Sequence, residues 1–319
     1  MKTIGIFSTA YDLHAHAVMH SIQRYPTAKV HLFSTDTLLS NGGFNWGSHS
    51  SENFLCSSSG QRVKPSDLDV IWWRRIHRPE FPPDLPNPDE QEFIKNEWRA
   101  ALDGILADQF CGRWVNHPVD DLRANNKLRQ LRLAMDLGLN VPRTLVSQQP
   151  QEVRAFCADL GGAVVAKKLS VGHGLNTASI IVTGNDLACD SSICVCPAIY
   201  QELIHSQRHL RVNCFGSDVH AFVIQSEDFD WRLNLNVRFN PFKLDGQVTE
   251  KLIAMLGACH LEMGIFDMVL LPNDEIVWLE LNPQGQFLFC EALSGSDLIG
   301  PFTDFLAGPA YQAGAARPA

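Results

Sequence analysis

The chain predicts an α/β fold assembled from more than one subdomain, and three features carry that prediction. A strand–helix–strand succession opens it, "TIGIFST", "DLHAHAVMHSIQRY" and "KVHLFST". Through the middle, amphipathic helical stretches alternate with short apolar runs. Near the end, "GIFDMVLLPNDEIVWLELNPQGQF" reads as two strands joined by a Pro-Asn-Asp turn.

Taken in order, residues 40–63 are rich in Ser, Asn and Gly and suit a loop or irregular hairpin. "LDVIWWRR" is a strand ending in paired arginines, and the prolines of "RPEFPPDLPNP" exclude regular structure after it. A helical run from about Asp89 to Phe110 follows, and "RWVNHP" closes the first unit near residue 118. "RANNKLRQLRLAMDLGL" reads as one amphipathic helix, with Leu128, Leu131, Ala134, Met135 and Leu137 or Leu139 on its apolar side. Gly138 is placed to stop it and Pro142 to mark the exit. The helix "PQEVRAFCADLG" leads to the strand "GAVVAKKLS", then to "GHGLNTASIIVT" and the strand "AIYQELI". The last third alternates "LRVNCFG", "VHAFVIQS", the helix "QVTEKLIAMLGACHLEM" and the hairpin. "AGPAYQAGAARPA" reads as a frayed tail.

A net charge of −9 argues against a general nucleic-acid binder, which needs a basic surface, while leaving room for local phosphate sites. The nine scattered cysteines lack zinc-finger spacing and are expected to be reduced thiols of a cytoplasmic protein. No run of eighteen apolar residues predicts a membrane span. His14, His16 and His20 have helical spacing but no neighbouring ligand beyond Asp12, so a partly exposed helix face is expected.

The hairpin holds the most informative residues. With Asn273 and Asp274 at the tip, Pro272 faces Glu275, Leu271 faces Ile276, and Asp267 falls opposite Glu280. Asn282 shares a face with Glu280 by the two-residue alternation of a strand. Like charges opposed across strands destabilise, and a divalent cation would compensate them. Three oxygen donors suit Mg²⁺, which takes one or two carboxylates together with substrate phosphates. The alternative is a solvent-facing pair, against which both strand faces are apolar.

Lys127 lies in the first turn of its helix, where the dipole disfavours a cation unless an anion is near; a solvated lysine is the alternative. Lys167 ends "AVVAK" on the opposite face from Lys168, so one of the two points inward and needs a charged partner. Arg211 in "LRVNCFG" and Arg232 in "DFDWRLN" suit a phosphoryl group or developing oxyanion, or else surface salt bridges.

The order of these parts resembles the ATP-grasp ligases: Lys on a helix, Lys on a strand, "YQELI" with a downstream Arg, then Asp on one strand and Glu-x-Asn on the next. The likeness runs from about Asn116 to Phe289. "VIWWRR", "NNKLRQLRLAMDLGLNVPRTLVS", "LRVNCFGSDVHAFVIQS" and "DWR" further resemble the graspetide, or microviridin-type, subgroup, related to the ribosomal-protein glutamate ligases. That resemblance implies a pre-ATP-grasp α/β domain over 1–118 and a central lid subdomain over 119–200. It further implies a C-terminal α+β subdomain over 201–308, followed by a flexible tail, 309–319.

The resemblance also implies roles. Lys127 and Lys167 would hold ATP phosphates, and the backbone of Gln201, Glu202, Leu203 and Ile204 would edge the adenine. His209 and Ser206 stand on the ribose side, where relatives carry an acidic residue and a lysine. Asp267, Glu280 and Asn282 would bind Mg²⁺. Arg211 would stabilise the phosphoryl group, with Arg232 near the acceptor carboxylate and the glycine-bearing segment 170–176 as a lid. The implied activity is ATP-dependent macrocyclisation of a ribosomally made precursor peptide through ω-ester or ω-amide links, by a homodimer. A ligase joining free amino acids, or adding them to a protein or peptide terminus, is the alternative.

Overall fold

In the computed structural model, described for residues 1–37, 43–49, 52–76, 80–81, 85, 87–170, 179–229, 231–233 and 236–308, the chain divides into two units. The first comprises residues 1–118, 260–263 and the segment from 297 onward; the second comprises 119–259 and 264–296.

The first unit opens with β1 (Lys2–Ser8), α1 (Leu13–Ile22) and β2 (Ala28–Ser34). Three short strands follow, β3 (Phe44–Asn45), β4 (Phe54–Cys56) and β5 (Arg62–Val63), and form an antiparallel sheet where a loop or irregular hairpin was expected. Then come β6 (Val70–Trp73), α2 (Pro88–Gln109) and β7 (Arg113–Val115). The strands β2-β1-β6-β7 make a parallel sheet. Parallel strands are covered on both faces, which explains the near-continuous apolar runs: Ile4, Ile6 and Phe7 are all fully buried. Phe7 stacks on Phe33 with ring centroids 4.6 Å apart.

At the carboxyl end of β1, Asp12 caps α1, accepting from the His14 amide at 3.1 Å, and takes a hydrogen bond from Ser8 at 2.7 Å. The Arg74 Nε lies 3.2 Å from the same carboxylate. The histidines form the partly exposed face expected of them: His14 is buried beside Asp12, while His16 and His20 are exposed.

The second unit begins with α3 (Pro118–Ala124) and α4 (Lys127–Asp136). These two replace the single helix expected here, because Asn126 turns the chain and caps α4, accepting from the Arg129 amide at 3.0 Å. The expected apolar side also shifts: Leu128 and Met135 are 51% and 47% exposed, and the polar Gln130 is buried beside Ala134. Gly138 ends the segment in the left-handed region at φ 69°.

Next come β8 (Thr144–Ser147), α5 (Pro150–Leu160), β9 (Val164–Lys167), β10 (Ile180–Ile181), α6 (Gly184–Ala188), α7 (Asp190–Val195) and β11 (Ala198–Glu202). The strands form an antiparallel sheet in the order β10-β9-β11-β8. A five-stranded sheet, β14-β13-β12-β15-β16, is built from β12 (Arg208–Phe215), β13 (Asp218–Gln225), β14 (Arg238–Phe242), β15 (Met263–Leu270) and β16 (Ile276–Asn282). α8 (Gly246–Ala258) precedes β15, and α9 (Leu288–Ser294) follows β16. The chain then returns to the first unit as α10 (Ile299–Ala307), whose Phe302 ring meets Trp72 edge-on at 4.8 Å.

The hairpin register differs from the sequence count near the turn. Leu270, not Leu271, pairs with Ile276, because the turn takes in Leu271 to Glu275, with the Leu271 amide donating to the Glu275 carbonyl at 2.8 Å. A β-bulge then inserts Leu279 between the Met268–Trp278 and Asp267–Glu280 pairs. The two one-residue offsets cancel, so Asp267 does face Glu280. No helix among the described residues is long and apolar enough to cross a membrane.

Candidate active site

All parts of the site lie in the second unit. β15 and β16 present Asp267 and Glu280 to each other, and Asn282, one alternation further along β16, donates from its amide to both carboxylates, at 3.1 Å and 3.2 Å. β12 supplies Arg211, whose Nη1 reaches the two Asp267 oxygens at 2.6 Å and 2.7 Å and whose Nη2 donates to the Gln286 carbonyl at 2.9 Å. α4 supplies Lys127, with Nζ 2.7 Å from Glu280. Arg232 stands 3.8 Å from the other Glu280 oxygen and is more than half exposed.

The opposed carboxylates are thus compensated by the protein's own cations, where the sequence pointed to a divalent ion. Their protonation follows from these neighbours. Burial pushes the Glu280 carboxyl up, but Lys127 and Arg232 outweigh it and hold the group well below the usual carboxylate range. At Asp267 burial wins, with the Glu280 charge adding to it against Arg211, so the carboxyl is raised.

Asp267, Glu280 and Asn282 open onto a cavity of about 600 Å³ that Lys127, Lys167, Gln201, Glu202, Leu203, Ile204, His209 and Arg232 also line. Lys167 is part-buried and donates to the Gln201 side-chain oxygen at 2.7 Å; Lys168 is more exposed, and both lysines line the cavity. Gln201 in turn donates to Thr144 at 2.9 Å. The backbone of β11 is paired on both sides through Gln201, and Ile204 lies beyond the last pair. Arg211 is not among the lining residues and reaches the site through Asp267. Of the expected lid, 170–176, only Ser170 lies within the described residues, and it lines the cavity.

The donor set suits a hard cation. Among the described residues no three His, Cys, Asp or Glu side chains converge; the triad is two carboxylates and an amide, which leaves coordination positions for phosphate and water as Mg²⁺ requires. The Asn282 amide would have to turn its oxygen inward to join them.

Sequence reasoning missed Gln130 and the aromatic wall of Phe229, Trp231 and Trp278. The spacing of Gln130, three residues after Lys127, was the available signal for one helix face. Phe229 and Trp231 lie two residues apart beside Arg232 in "DFDWRLN", a spacing that could have marked them, whereas Trp278 comes from β16.

No family model matches the chain. Its fold is that of the macrocyclase MdnC from Microcystis aeruginosa, solved bound with precursor peptide MdnA: TM-score 0.83 and 23% identity, covering 96% of this chain and 98% of that one. A Chryseobacterium gregarium RiPP-associated ATP-grasp ligase, solved with ADP and a leader and core peptide, superposes with TM-score 0.82 and 22% identity over 96% of each chain. In sequence, a probable alpha-L-glutamate ligase of Vibrio parahaemolyticus is 24% identical over 212 residues, which is 62% of this chain and 67% of the relative. The chain has the ATP-grasp fold.

Proposed function

We propose that this chain is an ATP-dependent ligase that activates Asp or Glu side chains of a ribosomally made precursor peptide and closes ω-ester or ω-amide rings. The observation that carries the reading is the Asp267–Glu280 pair with Asn282, set across a bulged hairpin beside Lys127 and Lys167 in one cavity. The macrocyclase and the RiPP-associated ligase, each solved with its peptide, support the choice of substrate.

A carboxylate is a poor electrophile and needs activation. Its oxygen takes the γ-phosphoryl group of ATP, releasing ADP; a Ser or Thr hydroxyl, or a Lys amine, of the same peptide then attacks the acyl carbon and phosphate leaves. The protein's share of this is positioning and charge neutralisation. Mg²⁺ held by Asp267, Glu280 and Asn282 would supply charge neutralisation at the phosphates. Lys127 and Lys167 exchange Glu280 and Gln201 for phosphate oxygens as the nucleotide enters. Arg232, exposed at the cavity, faces the acceptor carboxylate, and Arg211, which reaches the cavity through Asp267, orients that carboxylate rather than touching the phosphoryl group. His209 and the 201–204 backbone border the nucleoside. The reading places the protein in the cytoplasm, where ATP is supplied and its nine unpaired cysteines remain thiols, and takes a second copy of the chain as its partner.

The glutamate-ligase relatives favour a second reading, addition of an amino acid to a peptide or protein terminus. Mass spectrometry separates the two. Incubation with ATP, Mg²⁺ and an acidic precursor peptide rich in Ser, Thr and Lys should lower the peptide mass by one water per link. A mass gain equal to an added amino acid residue supports the second reading instead, and an unchanged peptide with no ADP released contradicts both.

A further inference from the structure

We infer that Gln130 is a positioning residue of this site: its amide holds β16 in the register that keeps Glu280 opposite Asp267. The inference rests on the functional reading of that carboxylate pair.

Gln130 is 1% exposed. An amide at that depth destabilises the fold unless its polar atoms are bonded. Its nitrogen donates to the Ala124 carbonyl at 2.6 Å and to the Leu281 carbonyl at 2.8 Å, and its oxygen accepts from the Leu281 amide at 3.1 Å. One side chain thereby pairs with both main-chain groups of one strand residue, as a neighbouring strand would. β16 has need of this, because it ends its sheet and, among the described residues, no further strand pairs with its outer backbone groups. A second clamp acts upstream, where the Trp278 amide donates to the Asn140 carbonyl at 2.8 Å.

The two clamps bracket Leu279 and Glu280, the place where the bulge sits. Without the bulge, Leu279 would oppose Asp267, and the Glu280 carboxylate would turn to the other face of the sheet. Fixing Trp278 and Leu281 at once confines the extra residue between them. Because Glu280 and Asn282 flank Leu281, the Gln130 contact sets two of the three donors. Lys127, three residues earlier on α4, holds the same strand through the Glu280 side chain. That contact must loosen when Lys127 turns to phosphate, whereas the Gln130 contact persists.

The test uses the full chain, with Mn²⁺ as the metal probe. Electron paramagnetic resonance measures Mn²⁺ binding at saturating ADP for the unmodified protein and for Gln130→Met, which keeps the volume and loses the amide. The variant should bind Mn²⁺ about tenfold or more weakly, the scale for residues that orient metal ligands, with its affinity for metal-free ADP unchanged. Equal Mn²⁺ affinity in the two proteins overturns the inference, as does a loss of Mn²⁺ and metal-free ADP binding that only tracks a lowered melting temperature. Hydrogen exchange on the unmodified protein needs no variant: the Leu281 amide should be protected like an interior strand amide, and rapid exchange overturns the clamp. An unmodified protein that binds no Mn²⁺ with ADP contradicts the functional reading itself, while exchange at Leu281 still judges the clamp.

Discussion

Arg211 meets both oxygens of Asp267 from a single nitrogen, at 2.6 Å and 2.7 Å, while that carboxylate lies directly across the hairpin from Glu280. Both partners are buried. Removing one half of such a pair leaves an uncompensated charge and costs about 3–5 kcal/mol. Arg211→Met should therefore lower unfolding stability in urea by that amount. Adding Asp267→Asn should restore most of it; a double variant no more stable than the single one would contradict the pairing.

Glu280 tests the metal site apart from the fold. Its neutral isostere keeps the shape and, through its amide oxygen, a contact with Lys127, but loses the charge that a divalent ion requires. Glu280→Gln should abolish ADP release with precursor peptide while its circular dichroism spectrum stays unchanged. Undiminished turnover would remove Glu280 from the metal set.

Lys167 tests the phosphate side. A charge-assisted hydrogen bond contributes ~1.5–3 kcal/mol, which corresponds to roughly 10–100-fold in affinity. Lys167→Met should weaken ATP binding by that factor in a calorimetric titration. An unchanged titration would show that Lys168, the more exposed neighbour, or another group makes the contact.

Asp121 gives a pH signature. Burial pushes its carboxyl up to about 7 from an ordinary 3.8, and the nearby Gln284 side chain offsets this only in part. The folded chain thus holds a proton that the unfolded chain releases. Stability from this group is fully present below 3.8 and is lost as pH rises through about 7, at ~1.4 kcal/mol per unit. Asp121→Asn should raise the melting temperature at pH 8 and leave it nearly unchanged at pH 4. An equal gain at both would show that Asp121 does not titrate in this window.

Local patterns carried a large part of this architecture. Strand alternation and the Pro-Asn-Asp turn placed Asp267 opposite Glu280, and the apolar run before Lys167 and Lys168 marked one of the two as inward without saying which. The count succeeded at Asp267 because two errors cancelled: the wider turn from Leu271 to Glu275 and the bulge at Leu279 leave no periodic trace. Asn126 broke the expected long helix through a cap whose competing helical reading was equally regular. Gln130 looked like a polar helix residue, since its role depends on an edge strand about 150 residues away. The pairing of Arg211 with Asp267 and of Lys127 with Glu280 likewise arises from tertiary contact, which composition and spacing do not encode.

The central claim is that Asp267, Glu280 and Asn282 share one divalent ion that engages the nucleotide phosphates. Anomalous diffraction from crystals soaked with Mn²⁺ and ADP measures this directly. The account predicts a manganese peak among those three side chains, with Lys127 released from Glu280 toward phosphate. A peak elsewhere, with Arg211 and Lys127 still seated on the two carboxylates, would contradict it.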